Sequence, residues 1–247
     1  MSTSVEPADI GIDLGTTYSV IAIKGRVELQ PSYGKKGIYV EECDATIIPT
    51  PAGDPSFPSV FWVDPADGRI VIGMEAKRKA EDGGAPIMFS KRAIGTMELL
   101  PLHDRSYTAQ EVAGHILRHL KECAEAALGR PVRRAVVTHP AYFERNQVEE
   151  TRAAAVAAGF DMRDDRQMMM EPAAAALAHT CTIQTDPLTI VTYDLGGGTF
   201  DVTVLQRKEG VIRMLSFDGD HLLGGYNFDR ALVQWILDKL REKGRTI

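Results

Sequence analysis

Two segments of this chain share one pattern: an aspartate near the end of an apolar strand, a sharp turn, and a returning strand of alternating apolar residues. The second copy reads Val191-Thr-Tyr-Asp194-Leu-Gly196-Gly197-Gly198-Thr199-Phe200-Asp201-Val-Thr-Val-Leu205, and the first reads Ile10-Gly11-Ile12-Asp13-Leu14-Gly15-Thr16-Thr17-Tyr18-Ser19-Val20-Ile21-Ala22-Ile23. Each pattern predicts a β-hairpin. Glycine lacks a Cβ and reaches positive φ, so Gly196, Gly197 and Gly198 allow backbone N–H groups to point at, and approach, an anion. Asp194 and Asp201 flank that turn, as a magnesium-dependent phosphoryl site requires. Alone, a triple glycine is better explained as an ordinary hairpin turn. The second copy shifts the reading to a duplicated phosphate-gripping unit, with a nucleotide clasped between two similar halves. Thr16 and Thr17 serve either as turn caps or, beside Asp13 and opposite the other hairpin, as phosphate contacts.

Composition narrows the alternatives. A chain of 247 residues with 44% hydrophobic content can form one large domain or two modest ones around a real core. The 28 basic and 34 acidic residues give a net charge of −6 with no block of Lys and Arg, which argues against a nucleic-acid partner. No apolar run approaches the roughly 20 residues of a membrane-spanning helix, and Met1 to Asp9 is polar and acidic, unlike a secretory signal. Cys43, Cys123 and Cys181 are odd in number and without a Cys-x-x-Cys pair. They read as packing or surface thiols in a reducing, cytoplasmic setting rather than a disulfide framework or zinc site.

Between the hairpins the chain alternates strands and helices. Residues 27–58, interrupted by five prolines, predict strands broken by loops. Ser59 to Val63 and Arg69 to Ile72 predict a hairpin turning at Asp67-Gly68, followed by a short helix. Thr108 and Glu111 form a capping box ahead of an amphipathic helix that Gly129 and Pro131 stop. His115 and His119 lie four apart, but with no Glu after His115 they read as a helix-surface pair rather than metal ligands. Val132 to Thr138 predicts a buried strand, then a helix capped by Asn146 with Glu149 three later, and a strand from Arg166 to Met170. Met168, Met169 and Met170 read as core filler. Lys91, with Arg92, is either a surface cation or is held inward to neutralise phosphate charge. Glu171 either caps its helix or faces the cleft as a catalytic carboxylate. Val211 to Phe217 predicts a third strand after the second hairpin. A helix from about Tyr226 to Lys243 then follows a loop whose Gly224 and Gly225 can present donors to an anion.

Six motifs in order now carry a specific resemblance: Gly11-Ile-Asp13-Leu-Gly15-Thr16-Thr17-Tyr18-Ser19, Phe89-Ser-Lys91-Arg92-Ala-Ile-Gly95, Pro140-Ala-Tyr142-Phe143, Glu171-Pro172-Ala-Ala-Ala-Ala-Leu-Ala, Asp194-Leu-Gly-Gly-Gly198-Thr199-Phe-Asp201-Val, and Leu223-Gly224-Gly225-Tyr-Asn-Phe228-Asp229. The chain resembles the heat-shock 70 (DnaK-like) chaperone family, within the actin, sugar-kinase and heat-shock ATPase superfamily. The resemblance implies an α/β, actin-like (ribonuclease H-like) ATPase fold. It implies a first lobe over 1–183, with a remodelled outer subdomain at about 25–110, and the start of a truncated second lobe over 184–247. The segments that contact adenosine in the family would lie beyond Ile247, so this chain is expected to hold nucleotide weakly by itself.

By the same resemblance the cofactors are ATP or ADP and Mg2+. Asp13 and Asp194 look like carboxylates that hold magnesium through its water shell. Gly15, Thr16, Thr17, Tyr18, Gly196, Gly197, Gly198, Gly224 and Gly225 look like nucleotide contacts. Lys91 resembles the catalytic lysine, Glu171 and Asp201 the carboxylates that position magnesium and the attacking water, and Thr199 the hydroxyl near the γ-phosphate. Pro140 and Arg145 match a switch region that reports nucleotide state. The implied partners are unfolded peptide and J-domain or nucleotide-exchange helper proteins, though the short segment between Gly95 and Thr108 and the long one between Val27 and Pro58 depart from the family and put helper contacts in doubt. A nucleotide-gated assembly protein without a peptide-binding domain is the alternative, and a sugar kinase fits the motifs less well.

Overall fold

Alternating apolar residues drive the first hairpin, because successive side chains of a strand face opposite sides and one side here is buried. In the computed structural model, which describes residues 8–220 and 222–245, β1 (Ala8–Asp13) and β2 (Tyr18–Lys24) pair antiparallel with Asp13 opposite Val20. Met1 to Pro7, and with them most of the polar N-terminal stretch, lie outside the described residues. The predicted broken strands follow: β3 (Ile38–Val40), β4 (Ala45–Ile48) and the two-residue β5 (Phe57–Pro58). Hairpins β6 (Phe61–Val63) with β7 (Ile70–Ile72) and β8 (Leu100–Leu102) with β9 (Arg105–Tyr107) flank the short helix α1 (Met74–Glu81).

Helix α2 (Ala109–Leu128) starts at the expected capping box, with Thr108 and Glu111 bonded reciprocally, and ends at Gly129 in the left-handed conformation. Strand β10 (Val132–His139), helix α3 (Arg145–Ala157), strand β11 (Met168–Met170) and helix α4 (Glu171–Thr180) complete the first half. Its sheet runs β11-β10-β1-β2-β4-β3, with β5 beside β2; β1, β10 and β11 are parallel and the rest antiparallel. The second half is a meander of β12 (Leu188–Leu195), β13 (Phe200–Lys208) and β14 (Val211–Asp220), followed by α5 (Gly225–Glu242).

The core forms where Ile10, Ile12, Ile21, Ile23 and Ile48 meet Val112, Ile116, Leu117 and Leu120 of α2. Each such side chain contributes about 1.5–3 kcal/mol on full burial. Gly114 of α2 faces α3, where a Cβ would make ordinary van der Waals contact with the Ala154 carbonyl at 3.5 Å. The resulting sheet-on-helix body is a mixed α/β architecture.

Several local expectations are corrected. Helix α3 is capped by Glu144 and Gln147 rather than Asn146 and Glu149, because Asn146 donates its amide to the Gly95 carbonyl instead. The strand predicted from Arg166 is confined to Met168–Met170, with a single 3-10 turn, Asp165–Gln167, before it. Asp164 caps that turn and accepts from the Arg166 guanidinium. The three methionines are half-buried at the sheet edge rather than fully enclosed. His115 and His119 turn inward against the rings of Phe61 and Phe57, and burial lowers both imidazole pKa values. Strand β14 extends three residues past Phe217, consuming part of the expected loop.

Candidate functional site

The two hairpins are equivalent in register. Asp13 pairs with Val20 and Asp194 with Asp201, so each turn spans the same offset. The glycine turn closes through the Gly196 N–H donating to the Thr199 carbonyl at 2.9 Å. None of Gly196, Gly197 and Gly198 uses the left-handed region, so the expected reliance on positive φ is corrected. What requires glycine is proximity. A Cβ on Gly197 would lie 1.9 Å from Thr17 Oγ1, and one on Gly198 would lie 2.8 Å from Thr16 Cγ2. The turns therefore face each other, and the Thr17 hydroxyl between them is buried with no hydrogen-bond partner.

On the other side of the cleft, Phe89 enters the 3-10 turn Ser90–Ala93 in the left-handed conformation (φ 59°), and Lys91 of that turn points inward. Its ammonium bonds Glu171, and the two side chains are only 10% and 16% exposed. Of the two readings of Lys91, the inward one describes the structure. Glu171 begins α4 directly after β11, so the end of the parallel sheet delivers it to the cleft. Burial pushes its carboxyl pKa up; Lys91 opposes the shift, and Asp13 and Asp194 add to it. Desolvation and the Asp13 charge likewise raise Asp194, against the pull of Lys91. These mutual effects bring Asp13, Asp194, Glu171 and Lys91 into one electrostatic group. Asp13 is further oriented by the Thr138 hydroxyl, which donates to it at 2.7 Å.

Asp201 is buried, 7% exposed, at the start of β13. Tyr142 lies beside it: burial raises the phenol pKa, with Asp201 and Glu171 adding and a hydrogen bond to Thr199 opposing. Pro140 is buried at the end of β10, and Arg145 is exposed at the first turn of α3, away from this group. Gly224 and Gly225 pack on the glycine turn itself. The Gly225 N–H donates to the Gly196 carbonyl at 3.0 Å and the Tyr226 N–H to the Gly197 carbonyl at 2.9 Å, so the start of α5 braces the turn with those two donors. A Cβ on Gly224 would stand 2.6 Å from the Gly198 nitrogen. Tyr18, exposed at the first turn, accepts from Lys77 at 2.7 Å.

Several positioning residues carry no signal in the one-dimensional pattern. Ser59 pins the first turn twice, its N–H donating to the Thr17 carbonyl at 2.9 Å and its hydroxyl to the Gly15 carbonyl at 2.8 Å, while that hydroxyl also bonds the Ser19 hydroxyl at 2.9 Å. The Lys91 segment is tied to α3 by Gln147, which donates to the Ile94 carbonyl at 3.0 Å, and by Glu150, which accepts from the Gly95 N–H at 2.8 Å. Tyr226 stands against Phe89 (centroids 4.8 Å apart) and beneath the Arg92 guanidinium at 5.7 Å, joining the halves beside the cleft. The motif Pro140-Ala-Tyr142-Phe143 located Tyr142 but not its partners, since contacts between segments far apart leave no local periodicity.

The donor set fits a polyanion and a hydrated cation. A buried unpaired hydroxyl between two turns suits a phosphate oxygen. Asp13 and Asp194 are carboxylates of the kind that can hold magnesium through its waters, and among the described residues no three His, Cys, Asp or Glu side chains gather closely enough to ligate a metal directly. No helix among the described residues is long and apolar enough to cross a membrane.

Comparison with known proteins joins this geometry. A family model described as Hsp70 protein matches residues 97–246. The chain is 37% identical over 232 residues, 94% of its length, to the chaperone protein DnaK of Mycoplasma mobile, and 38% identical over 237 residues to that of Thermoplasma acidophilum. It covers 35% and 36% of those two proteins, so it spans about a third of the length of the curated relatives it matches. With the glycine turns, the inward lysine and a match over more than half its residues, this chain belongs to the Hsp70 family.

Proposed function

We propose that this chain supplies the phosphate-clasping part of an Hsp70-type ATPase, which hydrolyses Mg-ATP and, in the whole protein, couples that step to chaperone binding of unfolded peptide. The observation that carries this reading is the apposition of Thr17 and Gly197 across a cleft walled by the Lys91–Glu171 pair. Family membership favours it over a nucleotide-gated assembly protein. Within the reading, the fold is the actin-like one, with 1–183 and 184–247 as parts of its two lobes. Helper proteins of the J-domain and nucleotide-exchange kinds are the partners implied.

The roles follow from position and charge. Asp13 and Asp194 hold a hydrated magnesium ion, which when bound neutralises phosphate charge. Thr16, Thr17 and the backbone of Gly196, Gly197 and Gly198 grip phosphate oxygens from both sides, while Lys91 neutralises charge that develops in transfer. Glu171 and Asp201 orient the attacking water, and the Thr199 hydroxyl sits beside them through its bond to Tyr142. The catalysis asked of these groups is positioning and charge neutralisation. Single-turnover ATP hydrolysis with and without Mg2+ is the test. Magnesium-dependent phosphate release that is lost in Lys91→Ala supports the assignment, and release independent of both overturns it.

A further inference from the structure

Two of the three cysteines lie near one another, away from the cleft, where Cys181 reaches the turn that carries Cys43. Cys43 ends the 3-10 turn Glu41–Cys43 beside strands β3 and β4. Cys181 is the C-terminal cap residue of α4, exposed to solvent. The Cys181 thiol donates to the Glu42 carbonyl at 2.5 Å and to the Ala178 carbonyl at 3.2 Å. That Glu42 carbonyl carbon is bonded to the Cys43 nitrogen, so covalent geometry keeps the two Cα atoms within about 8 Å of each other. A disulfide spans roughly 4.4–6.8 Å between Cα atoms. Side-chain rotation and a small movement of the exposed turn would be needed to close that gap. The Cys43 sulfur rests on the Val40 carbonyl of the same turn at 3.9 Å and is partly open to solvent. Cys123 is different: it is buried in α2 against His119, and burial pushes its thiol up to about 11.

We propose that Cys43 and Cys181 are a redox-sensitive pair, converted by a peroxide into an intrachain disulfide and restored by thiol reductants. The Cys181 sulfur, as thiolate, attacks one oxygen of hydrogen peroxide and breaks the O–O bond. It becomes a sulfenic acid, and the released hydroxide leaves as water with the thiol's proton. The Cys43 sulfur then attacks the Cys181 sulfur, and the hydroxyl leaves as a second water with the Cys43 proton. Two thiols lose two electrons in total and one peroxide gains them. The turn carries Glu41, Glu42 and Asp44, so a small uncharged oxidant reaches it more readily than an anionic disulfide.

The bond would have a structural consequence. Residue 181 begins the segment that passes into the second half, and the Arg207 guanidinium of β13 holds that segment by donating to the carbonyls of Ile183 at 2.6 Å and Thr185 at 2.8 Å, as well as to that of Thr180. A Cys43–Cys181 link would staple the outer edge of the large sheet to this passage between the halves.

Peptide mapping by mass spectrometry without reduction, after peroxide treatment and alkylation, tests the pair. The expected product is a Cys43 peptide joined to a Cys181 peptide, lighter by two hydrogen atoms than the separate peptides and abolished by dithiothreitol, with Cys123 left unmodified. In Cys43→Ser the sulfenic acid on Cys181 should persist and be trapped by dimedone, and in Cys181→Ser no linked peptide should form. A wild-type chain in which Cys181 is oxidised while Cys43 stays fully alkylatable overturns the proposal. So does a linked product found only in covalent dimers on a non-reducing gel.

Discussion

Thr17 and Gly197 touch across the cleft: the space a β-carbon would need on Gly197 is filled by the Thr17 hydroxyl oxygen, 1.9 Å from that position. The hydroxyl is buried and unpaired, a condition that costs about 1–3 kcal/mol. An anion oxygen accepting its proton would offset that cost, so the contact both holds the two turns together and favours a ligand between them.

Gly197→Ala should separate the turns. The added methyl group meets Thr17 Oγ1 and, at 2.9 Å, Thr17 Cβ, so rotating the hydroxyl does not relieve it. The expected outcome is a folded protein whose nucleotide affinity falls by about tenfold or more, equivalent to at least 1.4 kcal/mol. Titration calorimetry with Mg-ADP checks this, and circular dichroism confirms that the fold persists.

Lys91→Ala should abolish single-turnover hydrolysis and also destabilise the chain, because Glu171 would be left as a buried carboxylate without its cation. Breaking such a pair costs about 3–5 kcal/mol, whereas replacing both partners by neutral groups costs much less. The double variant Lys91→Met with Glu171→Gln should therefore recover most of the urea midpoint while remaining inactive. Recovery of stability without activity separates the structural role of the pair from the chemical one.

The carboxylates of the cleft make stability depend on pH in a definite sense. Asp194 has a folded pKa raised by desolvation and by Asp13, so its contribution is fully present below its unfolded pKa and is lost as pH rises through the folded value. Asp194→Asn removes that loss. It should raise the urea midpoint at pH 7 relative to the parent, and the advantage should vanish in acid, below the carboxyl pKa values. Magnesium-dependent nucleotide binding should weaken in the same variant, which parallel titrations would read.

Gln147→Ala should disturb the Lys91 segment without touching the cleft. Gln147 accepts from the Glu144 N–H at 2.9 Å in the α3 cap and donates to the Ile94 carbonyl. Losing both bonds should cost about 1–2 kcal/mol in unfolding experiments. Single-turnover hydrolysis should slow while nucleotide affinity changes little, since the residue holds Lys91 in place from behind.

The hairpins, the α2 capping box and the strand-to-helix passage at Glu171 were legible because each is written in neighbouring residues: alternation, reciprocal caps, a proline after a strand end. The α3 cap was misread for the same reason. Asn146 has the right side chain for a cap, but Gly95, far away in sequence, claims its amide. Lys91 could be read either way, because nothing in Phe89 to Gly95 says which side of the 3-10 turn meets Glu171.

Asp-Leu-Gly, repeated with matching flanks, was enough to place two turns and to suggest the phosphate chemistry proposed for them, since a glycine run and its flanking carboxylates are local features of backbone and charge. Why those glycines are needed was not visible there. The chain places none of them at positive φ; it requires them because Thr16, Thr17 and the start of α5 crowd the turn from segments remote in sequence. Steric exclusion and the pairing of buried charge depend on which surfaces meet, and only folding brings Thr17 to Gly197 and Lys91 to Glu171.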